Sequence, residues 1–187
     1  ATSIYYYLAI YRSRQQLREA LSRYVSPEIA ERIVRNPEEH IDKQESRVEV
    51  SMLFTDIKGF TSWAERNGHR EVLATLNRYF SAIASLIMAR EGTIIKYAGD
   101  GVFALWGAPV PVLQASKQAV QTAVEIQKEI EKLSGMGVLP PFKTRIGIHR
   151  AVVSVGNLGE KRRFDYTAVG DGVNLTARLE ELNKKYG

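Results

Sequence analysis

Residues 94–107, "IIKYAGDGVFALWG", decide the fold. Two apolar runs flank "AGDG", and an Asp-Gly pair favours a tight two-residue turn, so "TIIKY" and "VFALWG" form an antiparallel β-hairpin. Upstream, "HREVLATLNRYFSAIASLIMAREG" spaces its apolar residues as a helix does and stops at Gly92. Before that helix, "RVEVSMLFTDI" alternates Val48, Val50, Met52 and Phe54 on one face. Its other face turns apolar at Leu53, as expected of a central strand. Downstream, "PVLQASKQAVQTAVEIQKEIEKL" is a second long helix begun by proline and broken by "GMGVLPP". The tail offers strands "FKTRIGIHR", "AVVSVGNL" and "RFDYTAV", then a helix "GVNLTARLEELNKK". Strand, helix, strand, strand, helix, strand, with a hairpin and a helix appended, is an α+β, ferredoxin-like split βαβ sandwich.

The chain ahead of this plan reads as a helical extension. "YRSRQQLREALSRY" brings Leu17, Leu21 and Tyr24 onto one stripe, which suits a helix paired with another helix. "VSPEIAERIV" restarts with Ser26 as an N-cap and Pro27 at the first helical position. The polar stretch "NPEEHIDKQESR" marks the boundary, so residues 1–45 are a helical linker and residues 46–187 the main domain. The opening run "ATSIYYYLAIYR" is too short to span a bilayer, which takes roughly 20 apolar residues. It fits the cytosolic end of a transmembrane helix or a packing helix, and both readings stay open.

Composition narrows the function. The 187 residues contain no cysteine, which removes disulfides, thiolate catalysis and zinc-thiolate sites and fits an intracellular protein. The net charge is +5, but the 26 basic residues are scattered and no aromatic platform is interleaved with them. That distribution argues against nucleic acid and leaves room for a small anionic ligand.

Two carboxylates carry the chemistry. Asp56 ends the first central strand and Asp100 sits at the hairpin tip, points that are adjacent in a ferredoxin-like sheet. Converging carboxylates beside the turn "DIKGFT" form a cage for divalent cations that also hold substrate phosphates. The backbone N–H groups from Ile57 through Lys58 and Gly59 to Phe60 can cradle phosphate oxygens, with Gly59 letting the chain curl and Thr61 capping the next helix. Taken singly, Asp100 is equally a turn former and Asp56 equally a helix-leading acid.

The stretches "LFTDIKGFTSWAE", "IIKYAGDGVFALWGAP", "TRIGIHRAVVSVGNLG" and "RFDYTAVGDGVNLTARLEE", in this order over residues 48–187, resemble the class III nucleotidyl cyclase catalytic domain. The resemblance implies that Asp56 and Asp100, with the backbone carbonyl of Ile57, bind two Mg²⁺ or Mn²⁺ ions. It implies that Asn174 orients the ribose and Arg178 stabilises the transition state, two residues four apart on one helix. Lys96 matches the lysine that meets the adenine ring, where guanylyl cyclases commonly carry glutamate. Lysine has only donors and suits adenine N1, an acceptor, so ATP is the implied substrate. Thr167 matches the second base-contacting position and accepts from the adenine amino group. The lysine-threonine pair is similar to a subclass that includes bicarbonate-responsive enzymes. In the family the metal acids come from one protomer and Lys96, Thr167, Asn174 and Arg178 from the other, so the resemblance implies a homodimer with composite sites. It also implies a signalling role under an upstream sensor or membrane segment, with the domain in the cytoplasm or at the cytoplasmic face of a membrane.

Two departures stand out. Arg150-Ala151 replaces the small residue and glycine common in the family, which predicts a different strand bend there. The family domain also runs on beyond residue 187 through further strands and a triphosphate-contacting lysine, so the catalytic domain is expected to be C-terminally incomplete. The alternatives are a guanylyl cyclase and a catalytically silent dimeric signalling module. Lys96 argues against the first, and the presence of both acids and the Asn174/Arg178 pair against the second.

Overall fold

A computed structural model describes residues 2–22, 27–37, 46–160 and 163–186. Five strands form one sheet of order β2-β3-β1-β4-β5, each neighbouring pair antiparallel. They are β1 (Ser46–Ile57), β2 (Thr93–Ala98), β3 (Gly101–Trp106), β4 (Thr144–Glu160) and β5 (Arg163–Val169). The hairpin, the central strand and the split βαβ order are as expected, with β5 extending the sheet beyond the ferredoxin-like four.

One face carries α4 (His69–Ala89) and α5 (Ala115–Gly135). Their buried stripes, Thr75, Tyr79, Ile83 and Ile87 on α4 and Ala119, Thr122, Ile126 and Ile130 on α5, recur at the four- and three-residue spacing of a helix. They pack with Leu53, Ile57, Ala104 and Trp106 of the sheet. Among the described residues α4 is the helix long and apolar enough to cross a membrane, and here its stripe lies on the sheet. The opposite face holds a second cluster, Val50, Met52, Phe103, Leu105, Val153 and Val155, under α6 (Asp171–Tyr186). Gly147 lets α6 approach β4: a Cβ there would lie 2.4 Å from the Glu180 nitrogen and 2.5 Å from the Thr176 oxygen.

Three local expectations are corrected. "FKTRIGIHR" and "AVVSVGNL" are one continuous strand, β4, because β1 pairs with it from Thr144 to Val155 and β5 takes over from Ser154 to Glu160. Arg150 and Ala151 lie within this strand, in register with Ser51 and Val50. The second long helix begins at Ala115 and not at Pro111. Gln114 takes a left-handed φ of 54°, which a right-handed helix does not include, so the chain from Pro111 to Gln114 stays outside the helix. Finally, Thr61 caps nothing. The short helix α3 (Phe60–Ala64) already starts at Phe60 behind Gly59, whose left-handed φ of 76° makes the turn, so Thr61 falls inside the first helical turn.

The N-terminal helices are α1 (Thr2–Leu21) and α2 (Pro27–Arg35). The expected N-cap, Ser26, and Tyr24 lie outside the described residues. Ala30 and Ile33 of α2 bury against Val110, in the loop that follows β3, with Leu21 of α1 alongside.

Candidate active site

β1 and β3 are sheet neighbours running in opposite directions, so the end of β1 meets the start of β3. That places Asp56 beside Asp100. The Ile57 N–H donates to Asp100 Oδ2 at 3.1 Å, and the Val102 N–H donates to Thr55 Oγ1 at 3.0 Å, pinning the hairpin tip to the strand end. Gly101 is required at this junction, because a Cβ would come within 2.2 Å of the Thr55 carbonyl oxygen. The Gly99-Asp100 turn has Gly99 at φ 62°, a left-handed value that costs glycine little.

Burial, and then the neighbouring Asp56, push the Asp100 carboxyl up to about 6, against the pull of the Ile57 N–H. Crowded carboxylates of this kind are relieved by a cation. Among the described residues no group of three or more His, Asp or Glu side chains forms a closed cage. Two carboxylates with open coordination suit a divalent cation completed by substrate phosphate oxygens, the usual habit of Mg²⁺. The pair therefore fits the implied metals.

The raised carboxyl has a signed consequence. Between its unfolded value near 3.8 and about 6, the folded state holds more protons than the unfolded one, so stability falls as pH rises through that window. Without divalent cations, Asp100→Asn is expected to lack this fall. Thermal midpoints of the two proteins from pH 4 to 7 check it, and parallel curves would count against the crowding.

The sequence reading overlooked two groups. Arg145 on β4 is the register partner of Asp56, and its guanidinium donates to the Asp56 carboxylate. Its Nε lies 3.1 Å from Glu180 Oε1 on α6. Burial, with the Asp56 charge second, raises the Glu180 carboxyl, and Arg145 and Lys184 offset part of that. The signal was a lone arginine at the start of "TRIGIH", whose meaning depends on its register with Asp56. Below it, Gln127 Nε2 donates to the Thr144 carbonyl at 2.6 Å, and the Tyr79 and Thr144 hydroxyls share a hydrogen bond of 2.9 Å. A cavity of about 530 Å³ opens here, with Lys58, Lys143 and Arg145 in its lining. Another, of about 430 Å³, lies at the opposite end of β1 beside Glu49 and Arg150, away from the carboxylates.

The remaining expected residues spread over the chain. Ile57, Lys58, Gly59, Phe60 and Thr61 form the turn from β1 into α3, and the Lys58 N–H donates to the Lys143 carbonyl at 2.9 Å. Lys96 is exposed on edge strand β2, where a register shift between Ile94 and Lys96 sets it opposite Phe103. Without that shift Lys96 would oppose Val102, on the α4 side of the sheet that Tyr97, packed on Phe80, takes instead. The irregularity thus re-aims the lysine to the other face. Thr167 is half-buried on the opposite edge strand, β5. Those two edges touch although three strands separate them in the ladder, so the sheet curls. Asn174 and Arg178 are exposed on α6, whose inner side presents Thr176 and Glu180. They point away from their own sheet.

An antiparallel sheet with two acids at one end and a glycine turn beside them is an α+β domain built around an acidic site suited to a cation and its anionic ligand. The match with known proteins is specific: residues 42–186 fit the adenylate and guanylate cyclase catalytic domain, and the chain belongs to that family. It is 42% identical over 144 residues to adenylate cyclase 1 of Rhizobium meliloti (strain 1021), covering 75% of this chain and 22% of that protein. The structure of the guanylyl cyclase Cya2 superposes with a TM-score of 0.69 at 37% identity, covering 74% of this chain and 72% of that one. The adenylyl cyclase CyaB from P. aeruginosa gives 0.68 at 30%, covering 73% of each. The chain spans about a quarter of the length of the curated relatives named adenylate cyclase.

Proposed function

We propose that this chain is the catalytic domain of an adenylyl cyclase, converting ATP to 3',5'-cyclic AMP and pyrophosphate at the interface of a homodimer. The observation that carries the reading is the junction of Asp56 and Asp100, tied by the hydrogen bond from the Ile57 N–H to Asp100. Asp56 and Asp100, with the Ile57 carbonyl, would hold two Mg²⁺ or Mn²⁺ ions. Bound there, such ions supply charge for the triphosphate and acidify the ribose 3'-hydroxyl. The chain's own part is placement, which dominates phosphoryl transfer. The expected phosphate cradle is narrower than the whole turn, because the Ile57 and Lys58 N–H groups are held by Asp100 and the Lys143 carbonyl; the N–H groups of Gly59, Phe60 and Thr61 are the ones to meet phosphate oxygens, and the adjoining cationic cavity extends that surface. Lys96 donates to adenine N1 and Thr167 accepts from the amino group. Asn174 orients the ribose, and Arg178 stabilises charge as the 3'-oxygen bonds to the α-phosphorus and pyrophosphate departs.

Because Asn174 and Arg178 face away from their own carboxylates, a second copy supplies them. α1 and α2, resting on Val110 ahead of the domain, are the route for an upstream sensor or a membrane tether. The domain works in the cytoplasm, on this reading. Guanylyl cyclases also stand among the structural relatives, so substrate choice needs its own test. Lys96→Glu is expected to lower kcat/KM for ATP by about a hundredfold by placing an acceptor against adenine N1. Paired ATP and GTP assays with Mn²⁺ check this. Faster turnover of GTP than ATP by the unaltered protein would sink the ATP assignment.

A further inference from the structure

The row Asp56–Arg145–Glu180 crosses from the metal pair to α6; Arg145 enters the reading above only as part of the cavity lining, and Glu180 has no part in it. The Arg145 guanidinium occupies Asp56 Oδ2, one of the oxygens the cations would take. Its Nε stands 3.1 Å from Glu180 Oε1, yet both atoms are buried and lack a well-formed hydrogen bond. Side-chain exposures along the row are 23%, 15% and 10%, so these charges are screened mainly by one another. Glu180 is also fixed in place. The contact at Gly147 leaves no room for α6 to shift inward, and Asn183 Nδ2 ties the next turn to the Ile146 carbonyl at 3.3 Å. Glu180 is not grouped with Asp56 and Asp100 as a ligand set. What it touches is Arg145.

We infer that Glu180 is a positioning residue that draws Arg145 off Asp56 when divalent cations bind. The inference rests on the reading of Asp56 and Asp100 as the metal pair. A cation at Asp56 repels the guanidinium lying on the same carboxylate, and a buried guanidinium needs another anion within reach. Glu180 Oε1, already beside Nε and not fully bonded, is that anion. Without it, Arg145 stays on Asp56 and competes with the metal. The cost of displacing Arg145 is then set from α6, the helix that also carries Asn174 and Arg178.

The test is Mn²⁺ binding to the nucleotide-free protein, read from the electron paramagnetic resonance signal of free Mn²⁺. Glu180→Gln keeps the side-chain shape and is expected to weaken Mn²⁺ binding roughly tenfold, the usual scale for a group that positions metal ligands. Arg145→Met removes the competitor and is expected to tighten it. In the Arg145→Met background, Glu180→Gln should cost less than about twofold, because its partner is gone. An equal loss in both backgrounds would show that Glu180 acts on the cation directly, and an unchanged affinity in Glu180→Gln would show that it does not act at all. Either overturns the inference. If Glu180→Gln does not fold, Arg145→Met alone decides, and unchanged or weaker binding in it overturns the inference. Asp100→Asn separates the underlying reading. Mn²⁺ affinity unchanged in that variant rejects the metal pair and the inference together, whereas a loss there beside an unaffected Glu180→Gln rejects the inference only.

Discussion

Asp100→Asn is expected to lower cyclase turnover by at least about a thousandfold, roughly 4 kcal/mol of transition-state stabilisation, while leaving the domain folded. The two halves of that expectation come from separate interactions. Asparagine keeps an oxygen to accept the Ile57 N–H, which Asp100 Oδ2 receives at 3.1 Å, so the hairpin tip should remain on the end of β1. What disappears is the negative charge. The same change removes a charge that burial, and then the neighbouring Asp56, disfavour, so the cation-free variant should be at least as stable as the unaltered protein above pH 6. A protein more stable and far less active is the signature of a residue kept for function. Circular dichroism melts with cyclic AMP production in Mn²⁺ measure both halves, and activity within tenfold of the unaltered protein would remove Asp100 from the metal site.

Mixing two inactive variants should restore activity. Asp100→Asn damages the metal half of a site, and Arg178→Ala damages the half that the proposed partner lends. If chains pair at random, about half the dimers are mixed, and each has one intact site of two, so about a quarter of the unaltered activity should return. The expectation follows from α6, where Thr176 and Glu180 face the sheet and Asn174 and Arg178 face outward. Differently tagged chains allow mixed dimers to be isolated. Mixed dimers without activity would mean that each chain completes its own site.

Much of this was legible before the structure. The hairpin chemistry of "AGDG" and the alternation of Val48, Val50, Met52 and Phe54 are local signals, and each produced the element it implies, although the turn residues are Gly99 and Asp100 and Gly101 already pairs with Ala98 in β3. Asp56 and Asp100 could be set side by side because strand order in a split βαβ leaves few choices. Local signals failed where a neighbour decides. β4 reads as two strands until β1 and β5 are seen to hold its two halves in overlapping registers. Thr61 has the chemistry of a cap but loses the position to Gly59, whose left-handed turn starts the helix two residues sooner.

By itself, the sequence determined the split βαβ order, the family, and the side-chain types available to the proposed site, because these depend on spacing and side-chain chemistry along the chain. Only the tertiary structure decided which charges meet. Arg145 lies 89 residues from Asp56 in the chain and touches it because β1 and β4 pair in one register. Glu180 reaches that arginine because Gly147 lets a helix backbone lie against the strand. Lys96 leaves the α4 side of the sheet through a register shift that alternation does not encode. Contacts between distant segments depend on register and backbone clearance, and those exist only once the sheet is assembled.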